Sequence, residues 1–149
     1  MENILKRTDS THADFQQLVG LLDAELRELY GQKQENYTAL NIVDRIPVVL
    51  CYREQTPIGC AGIKEVNALE MEVKRVFVRP DYRGQGLSKI LMQDVEQWAR
   101  ELGKTALILE TGKKQIAAIS LYQTLGYHVI ENYGAYVGND NSICMKKML

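Results

Sequence analysis

The stretch from Val76 to Leu91 constrains this chain more than any other. An apolar strand pattern ends at Val78, Arg79 and Pro80 stop it, and an amphipathic helix pattern starts at Leu87. A basic, glycine-bearing turn, Arg83-Gly84-Gln85-Gly86, leads into the helix. A strand that feeds a helix through so short a link implies a sheet with that helix packed on it. Glycines let backbone amides approach a ligand with no Cβ in the way. The first amides of a new helix lack intrahelical partners and carry partial positive charge. Such a turn suits a phosphate or pyrophosphate, although an ordinary tight turn uses the same glycines for geometry alone. It is not a dinucleotide GxGxxG, because Lys89 stands where the third glycine belongs, and it lacks the lysine and Ser/Thr of a P-loop.

The remaining pattern surrounds this turn with alternating elements. Asp9, Ser10 and Thr11 offer N-caps for a helix whose apolar stripe runs through Phe15, Leu18, Val19, Leu22, Leu26 and Leu29 and closes near Gly31. From Gln32 to Arg45 the chain is polar and without period, which leaves a short helix and a loop both open. Pro47 to Tyr52 and Ile58 to Ile63 read as antiparallel strands joined by a turn at Gln55-Thr56-Pro57. Asn67 turns the chain into a long strand from Leu69 to Val78. The helix after the turn carries Leu87, Ile90, Leu91, Val95, Trp98 and Leu102, with Gly103 just past its end. A buried strand from Thr105 to Glu110, a helix from Ile116 to Leu125 stopped by Gly126, and strands at Tyr127 to Ile130 and Ile143 to Met148 complete the order β-α-β-β-β-α-β-α-β-β. This is an α/β (α+β mixed) pattern, read as one domain over residues 1–149.

Composition narrows the function classes. Eighteen basic residues face nineteen acidic ones, so no basic excess points to nucleic acid. No apolar run approaches the roughly 18 residues that span a bilayer, and the first residues lack the apolar core of a signal peptide. A cytoplasmic protein without a membrane partner is expected. Cys51, Cys60 and Cys144 form no CxxC and read as buried, reduced residues. His12 reads as part of a helix cap region and His128 as a strand residue, and no metal-ligand spacing surrounds either.

The run from Val76 to Leu91 resembles motif A of the GNAT superfamily, the acyl-CoA N-acyltransferases, commonly Arg/Gln-x-x-Gly-x-Gly/Ala. Here Arg83, Gly86 and Ser88 occupy those positions, with Ser88 a small substitution at the last. Ala118 to Tyr127, with Leu121, Tyr122 and Gly126, is similar to motif B of that family, and Gln115 stands where many members carry Asn. The order of elements also matches the family. The resemblance implies a mixed, largely antiparallel sheet of about six to seven strands with helices on both faces. It further implies acetyl-CoA as co-substrate, no metal, and a homodimer as a family expectation.

Residue roles follow from that resemblance. The pyrophosphate of coenzyme A would lie on amides of Arg83, Gly84, Gln85, Gly86, Leu87, Ser88 and Lys89, with Arg83 and Lys89 adding charge. Lys89 reads equally as a solvated helix residue. The pantetheine arm would pair with the backbone of Val76, Phe77 and Val78, and Gln115 would add a cofactor-side hydrogen bond. Strand alternation puts Glu72, Lys74, Val76 and Val78 on one face. Glu72 is therefore a candidate general base; the alternatives are a surface pair with Lys74 or Arg75, and Glu70 as a rival base. Tyr122 falls at the family's tyrosine near the thioester sulfur, where it would hydrogen-bond or protonate the departing thiolate. A helix tyrosine with a satisfied hydroxyl is the alternative. The thioester oxyanion would meet a strand amide near Val76. Tyr133, Tyr136, Asn139 and Asp140 would line the acceptor mouth, or simply form a loop.

The function implied is N-acetyl transfer from acetyl-CoA to a primary amine of a small molecule, by direct attack in a ternary complex. Protein lysine or N-terminal acetylation, and a non-catalytic acyl-CoA-binding module, are the alternatives.

Overall fold

The computed structural model describes residues 2–31 and 45–149. The polar stretch that begins at Gln32 therefore lies outside the described residues, except for Arg45. The described elements are β1 (Ile4–Asp9), α1 (Ala13–Tyr30), β2 (Pro47–Arg53), β3 (Thr56–Glu65), β4 (Glu70–Val78), α2 (Leu87–Glu101), β5 (Ala106–Gly112), α3 (Ile116–Thr124), β6 (His128–Ile130) and β7 (Ser142–Met148). Short 3-10 turns occur at Pro80–Tyr82 and Gly134–Tyr136. The strands hydrogen-bond in the order β1-β2-β3-β4-β5-β7-β6. The β4–β5 pair is parallel, while β1–β2, β2–β3, β5–β7 and β6–β7 are antiparallel. The expected mixed, largely antiparallel sheet is thus present.

The chain groups into two compact units. Residues 1–63 and 75–95 make one, and residues 64–74 and 96–149 the other, so β4 and α2 each contribute to both.

In the first unit, α1 lays Phe15, Leu18 and Leu22 on Val48, Leu50, Cys60 and Phe77. Val19 and Leu26 flank this core, but Leu29 ends the expected stripe 39% exposed. The cap of α1 also differs from expectation. His12 is the N-cap and its Nδ1 accepts the Asp14 N–H at 3.1 Å, whereas Asp9 closes a local turn onto Thr11. On the other face of β3, a Cβ added at Gly59 would lie 3.0 Å from Leu91 and 3.1 Å from the Phe77 carbonyl. The small residue predicted for close packing is needed there, where α2 crosses the sheet.

In the second unit, α2 ends in a Schellman motif: Gly103 N–H reaches the Arg100 carbonyl and Lys104 N–H the Ala99 carbonyl, both at 3.0 Å. Gly126 and Tyr127 end α3 in the same way, on Gln123 and Tyr122. Glu96 is buried on the apolar stripe of α2. The Tyr127 hydroxyl at 3.0 Å and Lys147 at 2.9 Å satisfy it, as a buried charge requires.

One expectation fails within β4. Arg75 has φ 58°, a left-handed backbone inside a strand. It breaks the period-two alternation, so the single face assigned to Glu72, Lys74, Val76 and Val78 does not continue past Lys74. Glu72 and Lys74 pair with each other. Beyond the break, Phe77 faces α1 and Val78 lies against the Gly59 position near Leu91.

Candidate active site

The first group of site residues belongs to the turn after β4. Gly84 and Gly86 have φ of 80° and 77°, where an L side chain is strained. A Cβ added at either would meet nothing within 4 Å, so both open onto clear space. The first helical bond runs from the Ile90 N–H to the Gly86 carbonyl at 3.1 Å. No described residue accepts a hydrogen bond from the amides of Gly84, Gln85, Gly86, Leu87, Ser88 or Lys89. This run of orphan donors at a helix start, with left-handed glycines inside it, has the chemistry to cradle an anion.

The side chains of the turn have more specific work than the sequence suggested. The Arg83 guanidinium donates to the Val78 carbonyl at 2.8 Å and to both Glu25 carboxylate oxygens at 3.1 and 2.8 Å, and lies over Phe77. Glu25 pairs with its charge, and Arg83 braces the turn. Lys89 is exposed in the first turn of α2. Arg53, which the sequence did not single out, donates to Gln85 Oε1 at 2.8 Å and stacks over Tyr82. It ties the β2–β3 hairpin to the turn. Between Tyr52 and Glu54 it belongs to no motif, so no local pattern marked it. Val76 is half-buried, and Phe77 and Val78 are buried.

The second group surrounds Glu72, which is only 7% exposed. The Tyr133 hydroxyl donates to its Oε2 at 2.6 Å. Lys74 Nζ lies 3.1 Å from its Oε1 and donates to the Tyr136 hydroxyl at 3.2 Å. The Tyr133 and Tyr136 rings meet edge-to-face at 5.5 Å. Asn132 fixes this loop by donating to the carbonyls of Tyr136, Asn139 and Ser142. Burial, then the Glu72 charge, raises the pKa of Tyr133, so the phenol keeps its proton and acts as donor to Glu72. The rival Glu70 is held below the usual carboxylate range by Lys146 and Asn67, which suits an ion pair rather than a base. Arg75 pairs with Asp23 and not with Glu72. Asn139 closes a local turn by accepting the Asn141 N–H, and Asp140 is exposed.

Tyr122 is 7% exposed, with its ring 5.9 Å from Tyr127. No described residue hydrogen-bonds to its hydroxyl. Burial, helped by the Glu110 charge, raises its pKa. A phenol of that kind offers a hydrogen bond more readily than a proton. Gln115 accepts the Gly112 N–H at 2.9 Å and the Thr111 hydroxyl at 3.2 Å. Its oxygen is committed to the β5–α3 turn, and its amide NH2 is the part able to serve a ligand.

Cys51, Cys60 and Cys144 are buried free thiols, and burial pushes Cys60 up to about 12. Thiols so protonated are not nucleophiles. Among the described residues no His/Cys/Asp/Glu group is placed to hold a metal ion, and no helix is long and apolar enough to cross a membrane.

Residues 15–127 match the model of the acetyltransferase (GNAT) family. The chain belongs to the GNAT acetyltransferase family. An IAA acetyltransferase of Azospirillum brasilense is 33% identical over 136 residues, covering 89% of each chain. A Klebsiella pneumoniae structure described as an acyl-CoA N-acyltransferase superposes with TM-score 0.84 at 30% identity, over 99% of this chain and 97% of its own. A GNAT acetyltransferase of Elizabethkingia anophelis, solved with acetyl-CoA bound, shares the fold at TM-score 0.73 and 18% identity, over 99% and 98% of the two chains. Within this GNAT chain, the orphan amides fall on motif A and the buried Tyr122 on motif B.

Proposed function

We propose that this GNAT chain transfers the acetyl group of acetyl-CoA to the primary amine of a small molecule, by direct attack in a ternary complex. The observation that carries the reading is the run of orphan amides from Gly84 to Lys89 at the start of α2. Those donors and the helix dipole supply the attraction that a pyrophosphate needs. In this reading the pantetheine arm runs along Val76, Phe77 and Val78, and the Gln115 amide donates to it. The name of the Azospirillum relative, IAA acetyltransferase, supports a small-molecule acceptor.

An acceptor amine arrives as an ammonium and attacks only after losing a proton. Glu72 takes that proton, directly or through a water, while Tyr133 keeps its carboxylate oriented. The amine nitrogen then bonds to the acetyl carbon and the carbon–sulfur bond breaks. The Tyr122 hydroxyl, buried with no hydrogen-bond partner among the described residues, donates to the sulfur as negative charge collects there. Of the two protons that the ammonium loses overall, one passes through Glu72 and the other ends on the thiol.

Calorimetric titration with acetyl-CoA tests the binding half of this reading, and thiol release across an amine panel tests the other. Micromolar binding with amine-dependent thiol release is expected. Absence of binding at high micromolar acetyl-CoA would sink it, and binding without release from any amine would leave a non-catalytic acyl-CoA module.

A further inference from the structure

We propose that Glu96 and Tyr127 are positioning residues for the acetyl transfer: together they hold the Tyr122 ring at the angle from which its hydroxyl meets the departing sulfur. This rests on the leaving-group role given to Tyr122. That hydroxyl has no hydrogen-bond partner among the described residues, so it does not fix its own ring. Tyr127 meets the ring edge-on, with centroids 5.9 Å apart and planes at 65°. Tyr127 is itself held at both ends. Its N–H donates to the Tyr122 carbonyl at 2.9 Å. Its hydroxyl donates to Glu96 Oε2 at 3.0 Å, and Lys147 Nζ donates to the other carboxylate oxygen at 2.9 Å. Lys147 Nζ also lies over the Tyr127 ring, 5.8 Å from its centroid. Its stem passes the turn between the two tyrosines, where a Cβ added at Gly126 would lie 3.6 Å from Lys147 Cε.

This network is a poor way to gain stability. Glu96 is 4% exposed, between the buried Val95 and Ala99 on α2. Desolvating a carboxylate offsets much of what its ion pair returns, and apolar residues of similar volume often serve stability as well or better. Phenylalanine at 127 and an apolar residue at 96 would fill the space with no charge to bury. What the polar arrangement adds is direction. A hydroxyl bonded to a carboxylate that is itself tied to Lys147 sets the plane of the Tyr127 ring, whereas an apolar ring there is free to tilt. Edge-to-face contact passes that plane on to Tyr122, because its favourable geometry is angular. Burial, then the Glu96 charge, raises the pKa of Tyr127, so its phenol keeps its proton and stays the donor to Glu96. The Tyr122 hydroxyl must stand ready where charge collects on the sulfur, and a small misplacement of such a group is heavily penalised in rate.

The test is a double-mutant cycle in the full chain, read by thiol release from acetyl-CoA with the best acceptor of an amine panel. Tyr127→Phe should lower kcat roughly fivefold, with acetyl-CoA affinity by calorimetry unchanged within about twofold. In the Tyr122→Phe background the same change should lower kcat less than about twofold, because the group it positions is gone. Glu96→Met removes the acceptor and should behave like Tyr127→Phe. Glu96→Gln keeps an oxygen for the hydroxyl and should retain kcat within about twofold. Apart from turnover, ring NMR of the ligand-free protein should show Tyr122 flipping faster in Tyr127→Phe and Glu96→Met than in wild type, with its signals assigned by their loss in Tyr122→Phe. Unchanged kcat or unchanged ring flipping in Tyr127→Phe overturns the proposal. So does an equal loss of kcat with and without the Tyr122 hydroxyl, which is what a merely structural role gives. A loss in Tyr122→Phe with none in Tyr127→Phe removes the positioning role alone, whereas full kcat in Tyr122→Phe removes the leaving-group role and this proposal with it. If Tyr127→Phe does not fold, Glu96→Met against Glu96→Gln completes the same cycle and decides it.

Discussion

Arg75 Nη1 donates to Asp23 Oδ1 at 2.5 Å, and both side chains are more than nine-tenths buried. The pair links α1 to the left-handed residue of β4. A left-handed backbone at a non-glycine costs on the order of 1–3 kcal/mol and persists only where its surroundings enforce it. Removing one partner of such a pair leaves a buried charge uncompensated, which costs about 3–5 kcal/mol. Asp23→Ala should therefore destabilise by that amount in urea unfolding. Asp23→Ala combined with Arg75→Met should recover part of the loss, because the buried cation goes with its carboxylate. A cost under about 1 kcal/mol for Asp23→Ala would show that the pair does not hold the strand.

The turn glycines separate conformational from steric effects. An added Cβ at Gly86 meets no atom, so only its φ of 77° penalises substitution. Gly86→Ala should cost about 1–2 kcal/mol. Gly86→Asn should cost less, since Asn tolerates this region. Both should weaken acetyl-CoA binding at least tenfold by calorimetry, because each puts a side chain on the side of the backbone that the ligand needs. Unchanged affinity in Gly86→Asn would remove the turn from the binding site.

Much of this was legible in the residues. Glycines 103 and 126 marked helix ends because a left-handed C′ position closes a helix in a way any sequence can announce. The turn from Arg83 to Lys89 was legible for the same local reason. What escaped was non-local. Nothing in the sequence shows that Arg75 leaves the strand conformation, and its buried partner, Asp23, is 52 residues away. The pairing of Arg83 with Glu25 was not visible because Glu25 lies 58 residues off. Tyr133 and Tyr136 were singled out only as loop residues near an acceptor mouth. Their bonds to Glu72 and Lys74 arise because the loop before β7 returns to β4, which no local spacing encodes.

Tyr122 offers a separation of stability from activity. Its hydroxyl is buried with no described hydrogen-bond partner, and an unsatisfied buried polar group costs about 1–3 kcal/mol. Tyr122→Phe should therefore leave the unfolding midpoint unchanged or raise it. In the same protein kcat should fall at least tenfold if the hydroxyl serves the leaving sulfur. A destabilised variant with full kcat would reverse the assignment, making the hydroxyl structural.

The β2–β3 hairpin carries strain that function does not require. Arg53 pairs with Thr56, and the two residues between, Glu54 and Gln55, have φ of 52° and 68°. A two-residue turn with both φ positive favours Asn-Gly. Glu54→Asn with Gln55→Gly should stabilise by about 0.5–1 kcal/mol in thermal or urea unfolding. Kinetic constants should not change, since neither side chain is assigned to the site. A loss of stability would mean that one of the replaced side chains makes a contact worth more than the relief of strain.

Glu70 sets a pH dependence with a defined direction. Lys146 at 2.8 Å and the Asn67 amide hold its folded pKa below the ordinary carboxylate value of about 4.3. A depressed folded pKa means the unfolded state binds the proton more tightly. The group therefore contributes stability above the unfolded pKa and loses it as pH falls through the folded one. Wild type should lose stability to Glu70→Gln progressively below about pH 4.5, where the two unfolding curves converge, and keep its full advantage near neutrality. Because the pair is partly exposed, salt should shrink that advantage. Parallel curves for the two proteins from neutral to acid pH would show that Glu70 titrates as it does in the unfolded chain.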